Sequence, residues 1–164
     1  GNNDKYHEAT KVLGALLAHR SINLVYGGGK VGLMGVLADE VLRNNGTVTG
    51  VIPRFLMEKE VAHEGVTEMI VTQNMHERKA KMAVQSDAYI ALPGGFGTLE
   101  EFFEMLTWAQ LGLHQKPLGL LNVDGFYDPL LNMLDTMVKS GFVKEENRQL
   151  IKVHSDAEAL LEAL

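Results

Sequence analysis

Apolar and polar residues alternate along this chain in blocks that predict helices and strands in turn. Over residues 4–19 apolar side chains recur at helical spacing, and a short run of β-forming residues follows at 22–26. The alternation predicts further helices at 33–42, 75–85, 98–111, 128–139 and 156–164, and further strands at 48–52, 68–71, 88–92, 118–123 and 151–153. The polar stretch 144–149 is predicted to be a surface loop.

Short, continuous apolar strands separated by helices are typical of a parallel sheet that is covered on both faces. We therefore predict a single α/β domain over residues 1–164, with a Rossmann-like arrangement in three layers. The first predicted helix is amphipathic and has no strand before it, although in a βαβ unit such a helix follows a strand. We expect the first strand of the fold to lie upstream of Gly1 and to be missing from this chain.

Composition removes several classes of function. The 164 residues carry 15 Lys and Arg against 21 Asp and Glu, a net charge of -6, which argues against a nucleic-acid partner. The chain has no cysteine, which excludes disulfides, thiolate metal sites and a cysteine nucleophile. No apolar run approaches the roughly 18 residues of a membrane span. We therefore expect a cytoplasmic protein with no membrane partner.

The first glycine-rich segment, GGGKVG at 27–32, lies between a predicted strand and a predicted helix. This G-x-G-x-x-G spacing favours phosphate binding, with Gly28 and Gly29 as candidates, or only tight packing, as expected at Gly32 and Gly35. An NAD(P) reductase would need an acidic residue after the second strand, which here ends in VIPR. A Walker loop is excluded because the lysine is followed by valine.

The second glycine-rich segment, PGGFGTLEE at 93–101, follows a predicted strand, at the edge where open α/β sheets bind ligands. Thr98 and Glu101 have capping-box spacing, so one interpretation is that Glu101 only caps a helix. The other is that the glycines, Gly94 among them, admit a phosphate to the helix N-terminus and that Glu101, ionised in the first turn, acts as a base.

The segment MHERK at 75–79 supplies candidate cations. Arg78 lies beside the apolar stripe of its predicted helix and would suit a phosphate or carboxylate, whereas the alternative is a solvated face formed by Arg78, Lys79 and Lys81. The histidines show no metal-ligand spacing, so we expect no metal site.

Taken together, PGGFGTLEE, MHERK, GGGKVGLMG and TWAQLGLHQKP resemble the LONELY GUY (LOG) family of cytokinin-activating phosphoribohydrolases, over essentially the whole chain. The resemblance implies hydrolysis of the N-glycosidic bond of a nucleoside 5′-monophosphate, of the cytokinin type or AMP, to free base and ribose 5-phosphate. It implies a homodimer, for which the apolar helix 102–111 is a candidate surface, and no cofactor. A lysine decarboxylase is not indicated, because no lysine has an evident pyridoxal phosphate context.

The same resemblance assigns site residues. It implies Arg78 and Glu101 as the catalytic pair. The substrate contacts that it implies, besides Arg78 and Glu101, are Glu60, Lys79, Gly95, Phe96, Gly97, Thr98, Leu99, Glu100 and Thr107. The rival is a non-catalytic nucleotide or molybdenum-cofactor carrier of the same fold, which would gain nothing from an ionised carboxylate beside its ligand.

Overall fold

Helices and parallel strands alternate in the computed structural model, which describes residues 1, 3–57, 59 and 61–164. The helices are α1 (Asp4–His19), α2 (Gly32–Arg43), α3 (Met75–Gln85), α4 (Phe96–Gln110), α5 (Asp128–Lys139), α6 (Glu145–Arg148) and α7 (Ala157–Ala163). The strands are β1 (Leu24–Tyr26), β2 (Val48–Pro53), β3 (Glu68–Thr72), β4 (Tyr89–Ala91), β5 (Leu118–Leu121) and β6 (Ile151–His154). Every strand pair is parallel, so the predicted α/β class is confirmed.

Contacts within the chain group into two compact units, Gly1–Ser86 and Asp87–Leu164. The first unit contains a sheet with the order β1-β2-β3, and the second contains a sheet with the order β4-β5-β6. A single domain over residues 1–164 stays a prediction.

The first unit is built on β2, the central strand of its sheet. Val25 of β1 lies opposite Thr49, and Val51 lies opposite Ile70 of β3. The apolar residues of β2 are fully buried, as the continuous apolar run predicts. Helices α1 and α2 pack closely at Gly14, where a Cβ would lie 2.9 Å from the Cβ of Glu40. The core of this unit therefore packs around the sheet in which β1 leads into the first glycine-rich segment.

The second unit is built on β5, whose four residues are all buried. Leu118 lies opposite Tyr89 of β4 on one side and opposite Ile151 of β6 on the other. Leu160 of α7 packs onto β5 at Gly119, where a Cβ would lie 2.9 Å from its Cδ1. A larger residue at position 119 would therefore require the Leu160 side chain to shift.

Three predicted helices, 4–19, 75–85 and 128–139, begin and end at the predicted residues. The prediction of a loop over 144–149 is wrong, because α6 forms one turn there. The Lys144 carbonyl accepts hydrogen bonds from the amides of Asn147 and Arg148, and the Arg148 Nε donates to Asp135 on α5 at 2.8 Å. This long-range ion pair has no counterpart in the local pattern. Among the described residues, no helix is long and apolar enough to cross a bilayer.

Candidate active site

The first glycine-rich loop, residues 27–30, leaves β1 and is held by the later segment 61–63. The amide of Lys30 donates to the carbonyl of Val61, and the amide of His63 donates to the carbonyl of Gly28, each at 2.9 Å. Gly28 has a φ of +78°, a backbone conformation that favours glycine. The Lys30 amide therefore has a partner within the chain and is not available to a phosphate.

Arg78 is buried, with 4% of its surface exposed, against the first loop. Its Nη2 donates to the carbonyl of Gly27 at 3.3 Å, and its Nη1 lies 3.8 Å from the Sδ of Met75. A Cβ at Gly27 would overlap the guanidinium, so this glycine makes room for the arginine. The interpretation of Arg78 as part of a solvated face is therefore wrong, although it holds for Lys81, which is exposed.

A capping pair that the sequence analysis missed starts the helix that carries Arg78. The Asn74 side chain accepts a hydrogen bond from the Glu77 amide at 2.9 Å, and the Glu77 carboxylate accepts one from the Gln73 amide at 2.8 Å. The signal was available, because asparagine followed three residues later by glutamate has the spacing of a helix N-terminus. The pair fixes the first turn, and Arg78 is the next residue.

The other candidates in the first unit have varied surroundings. Gly28 and Gly29 are buried, Lys79 is half-buried, and Glu60 lies outside the described residues. Tight packing is confirmed at Gly35, where a Cβ would overlap the Lys30 backbone. It is wrong for Gly32, because a Cβ there would meet nothing within 4 Å; a φ of +70° explains that glycine instead.

The second glycine-rich loop, residues 93–95, leads into α4. The helix begins at Phe96 with Gly95 as its N-cap and with no side-chain cap. The predicted capping box of Thr98 and Glu101 is therefore wrong, because the helix begins two residues earlier than predicted. Glu101 consequently lies in the second turn, outside the first turn in which a carboxylate feels the helix dipole most. Gly94 permits this geometry, since a Cβ there would overlap the Thr98 side chain.

The amino terminus of α4 is open. Its first intrahelical bond runs from the Leu99 amide to the Gly95 carbonyl at 3.1 Å, so the amides of Phe96, Gly97 and Thr98 precede the bonded part of the helix. A Cβ at Gly95 or Gly97 would meet nothing within 4 Å, and Phe96 is 94% exposed. This arrangement can receive an anion on backbone amides.

Tyr127 forms a hydrogen bond to the residue before the second loop, a role with no signal in the sequence. Its hydroxyl donates to the Leu92 carbonyl at 2.5 Å, directly before the loop, and the side chain is 1% exposed. Burial raises the pKa of Tyr127 to about 12, so the hydroxyl keeps its proton at neutral pH. Further along α4, the Thr107 hydroxyl donates to the Phe103 carbonyl at 2.7 Å.

Arg78 belongs to the first unit and Glu101 to the second. Glu101 is half-buried and Glu100 is exposed. The described part of the chain contains no group of three or more side chains suited to hold a metal ion.

Comparison with known proteins assigns a family. The profile of a family described as possible lysine decarboxylase matches residues 34–164. A probable cytokinin riboside 5′-monophosphate phosphoribohydrolase of Oryza sativa subsp. japonica is 53% identical over 161 residues, which cover 98% of this chain and 72% of that protein. This chain belongs to the LOG family. Another rice member is 54% identical over 92% of this chain and 62% of its own length, and an Arabidopsis thaliana member is 49% identical over 100% and 77%.

Solved structures show the fold of this LOG family chain independently. The molybdenum cofactor binding protein of Rippkaea orientalis matches with a TM-score of 0.72 at 24% identity, over 98% of this chain and 86% of that one. The molybdenum cofactor carrier protein of Chlamydomonas reinhardtii gives the same TM-score and coverage at 23% identity. At these identities the likeness establishes the Rossmann-like fold alone.

Proposed function

We propose that this chain hydrolyses the N-glycosidic bond of cytokinin riboside 5′-monophosphates, with AMP as a simpler substrate, and releases the free base and ribose 5-phosphate. The names of relatives about 50% identical to it support this reaction. The structural observation that carries the proposal is the open N-terminus of α4, because a nucleoside 5′-monophosphate presents the anion that such a terminus binds.

The substrate phosphate binds the amides of Phe96, Gly97 and Thr98. Gly95 and Gly97 support this assignment, because no atom of the chain comes within 4 Å of the place where their Cβ would be. A glycine without an internal steric reason fits a backbone that a ligand must approach closely. Binding energy from the phosphate would position the ribose, which accounts for a preference for nucleotides over nucleosides.

Glu101 and Arg78 are the proposed catalytic residues. Cleavage of the glycosidic bond passes through a sugar with oxocarbenium character, which a carboxylate stabilises while it activates water. Glu101 takes a proton from the water, the water oxygen forms a bond to C1′, and the bond from C1′ to the base nitrogen breaks. The proton that the water loses balances the one that the released base gains. The guanidinium of Arg78 is held in one orientation by its bond to the Gly27 carbonyl and presents its donors in a planar arrangement.

The remaining candidates are proposed as substrate contacts. They are Gly28, Gly29, Glu60, Lys79, Gly94, Leu99, Glu100 and Thr107.

Product chromatography tests the proposal. The protein is incubated with AMP and with isopentenyladenosine 5′-monophosphate, and in parallel with the two matching nucleosides. We expect free base and ribose 5-phosphate from the monophosphates only. Release from the nucleosides at the same rate would contradict the phosphate-binding role of α4.

Two glutamate variants separate chemistry from binding. Glu101→Gln should lose turnover by about 10²-fold or more and keep its nucleotide affinity, because the amide preserves the shape but neither activates water nor carries charge. Glu146→Gln is the matched control, since Glu146 is an exposed carboxylate that lies 3.5 Å from Lys144. Equal turnover in the parent protein and in both variants would contradict a catalytic role for Glu101.

We further propose a homodimer that acts in the cytoplasm. Leu111 and Leu113, which follow α4 directly, are 65% and 68% exposed, which suits a surface covered by a second copy. The cysteine-free sequence fits a reducing compartment. Light scattering of the protein and of a Leu111→Glu, Leu113→Glu variant tests the dimer; a mass that is unchanged by the variant would contradict this surface.

A further inference from the structure

His63 is a buried histidine that the proposed reaction does not use. It is 4% exposed, and both ring nitrogens have partners in the first unit. The Gly65 amide donates to its Nδ1 at 3.1 Å, and its Nε2 lies 2.9 Å from the Oδ1 of Asp39 on α2. Because Nδ1 accepts a hydrogen bond, the proton is on Nε2 and is donated to the carboxylate.

The backbone of His63 is joined to the first glycine-rich loop. Its amide donates to the Gly28 carbonyl at 2.9 Å, and residue 62 pairs with Gly29 in an antiparallel bridge. The neighbouring carbonyl, that of Gly27, accepts the hydrogen bond from Arg78. His63 therefore links α2 and the segment 61–65 to the loop whose Gly27 carbonyl accepts the hydrogen bond from Arg78.

We propose that His63 and Asp39 form a positioning pair, which fixes the glycine loop and, through it, the orientation of Arg78 for the reaction. The inference rests on the proposed function for its kinetic consequence and on contacts within the first unit for its structural one. The Nε2 proton of His63 directs the ring toward α2, and Asp39 holds it there, so the amide of His63 stays aimed at Gly28. Small displacements of a group that acts on substrate are costly, since catalysis depends on its placement.

Two substitutions at position 63 separate the two ring contacts. In His63→Gln the side-chain amide nitrogen falls near the place of Nε2 and still donates to Asp39. In His63→Asn the side-chain oxygen falls near the place of Nδ1 and does not reach Asp39. We expect kcat/KM with AMP to fall about tenfold in His63→Asn and in Asp39→Ala, chiefly through kcat, and to stay within about threefold of the parent in His63→Gln.

A matched control lies at the end of the same helix. The Asn44 side chain donates to the carbonyl of Glu40 at 2.9 Å and to its carboxylate at 3.0 Å. Both contacts lie within the last turn of α2. Asn44→Ala should lower the melting temperature without changing kcat or KM. Kinetics are measured at least 15 °C below each melting point, so that a loss of folded protein does not count as a loss of rate.

Amide hydrogen exchange provides a readout that needs no substrate. In His63→Asn and in Asp39→Ala, the amides of Lys30 and His63 should exchange at least tenfold faster, while those of β2 keep their protection. Asp39 is half exposed, which makes Asp39→Ala the variant that retains the fold if His63→Asn does not.

The outcomes separate this inference from the proposed function. Parent-like exchange at Lys30 and His63 in Asp39→Ala overturns the positioning pair, whatever the activity. If exchange is accelerated but kcat and KM are unchanged, the pair is structural only and the inference is also overturned. A parent protein that releases no base from any nucleotide overturns the proposed function and, with it, the kinetic role of the pair; exchange then decides whether the pair holds the loop.

Discussion

The Nη2 of Arg78 donates to the backbone carbonyl of Gly27, 51 residues earlier in the chain, at 3.3 Å. This bond joins two sequence segments of the first unit, each of which carries candidate site residues. It also explains why position 27 is a glycine. A side chain there would overlap the guanidinium of Arg78, which is buried against this residue.

Replacing Arg78 tests the value of this guanidinium. Arg78→Lys keeps the positive charge but loses the planar arrangement of donors, so kcat/KM should fall about 10²-fold or more. The measurement is steady-state hydrolysis of AMP. Lys81→Gln, an exposed change on the same helix, is the control and should retain parent kinetics. Parent-like kinetics in Arg78→Lys would show that charge alone is needed at this position.

Adding one methyl group at Gly27 should displace the same guanidinium. The added Cβ overlaps Nη2, so Gly27→Ala is expected to lower stability by about 1–3 kcal/mol and to reduce activity. The overlap disappears in an Arg78→Ala background, so the stability cost of Gly27→Ala should shrink there. Denaturant unfolding of the four proteins of this cycle measures the coupling. Additive costs would place the strain elsewhere.

The N-terminal caps of α3 and α7 allow a comparison between a helix that carries a proposed catalytic residue and one that does not. Asn74→Ala removes the acceptor for the Glu77 amide, which should cost about 1 kcal/mol of unfolding free energy and, because Arg78 follows directly, should also lower kcat/KM. Asp156→Ala removes the equivalent cap of α7, where the side chain accepts from the Ala159 amide at 2.9 Å. It should cost a similar amount of stability with unchanged kinetics. Equal kinetic effects of the two variants would rule out a specific role for the first turn of α3.

Tyr127 predicts a loss of stability at alkaline pH. Its pKa is about 12 when folded and about 10 when unfolded, so its contribution is complete below pH 10 and is lost as pH rises toward 12, when the unfolded chain releases the proton first. Tyr127→Phe should be about 1 kcal/mol less stable at pH 7, because the bond to Leu92 is lost, and should decline less between pH 10 and 12. Denaturant midpoints across this range measure both effects. Identical alkaline declines would assign the loss to Tyr26 and Tyr89, whose pKa values burial also raises.

Hydrophobic periodicity was sufficient for most of the elements, because strands such as β5 are continuous apolar runs and the longer helices have an apolar stripe. It failed where tertiary contacts decide. The turn of α6 carries Arg148, whose ion pair with Asp135 of α5 joins residues 13 positions apart, which no local pattern reveals. The start of α4 depends on glycines that let the chain turn before Thr98, where the capping rule placed the first residue of the helix.

The same difference between local patterns and tertiary contacts applies to the candidate site. The two glycine-rich loops were identified from their spacing, but the partner of each was not. No local pattern indicates that segment 61–63 would bind the Lys30 amide. The place of Arg78 beside the apolar stripe of its helix left both burial and solvation open, because its bond to Gly27 joins residues far apart in the chain. A capping pair at Thr98 and Glu101 was one of two interpretations of the second loop, and the structure has such a pair at Asn74 and Glu77 instead.

The order of strands in the two sheets has a consequence for synthesis of the chain. Each strand pairs only with a strand adjacent to it in the sequence, so no pairing among the described residues waits for a distant segment to be made. The paired residues lie between 19 positions apart (Thr49 and Glu68) and 33 positions apart (Leu118 and Ile151), so each pairing closes a loop of limited length. The sheet β1-β2-β3 needs no residue beyond 72, so it can form before the second loop, residues 93–95, has left the ribosome.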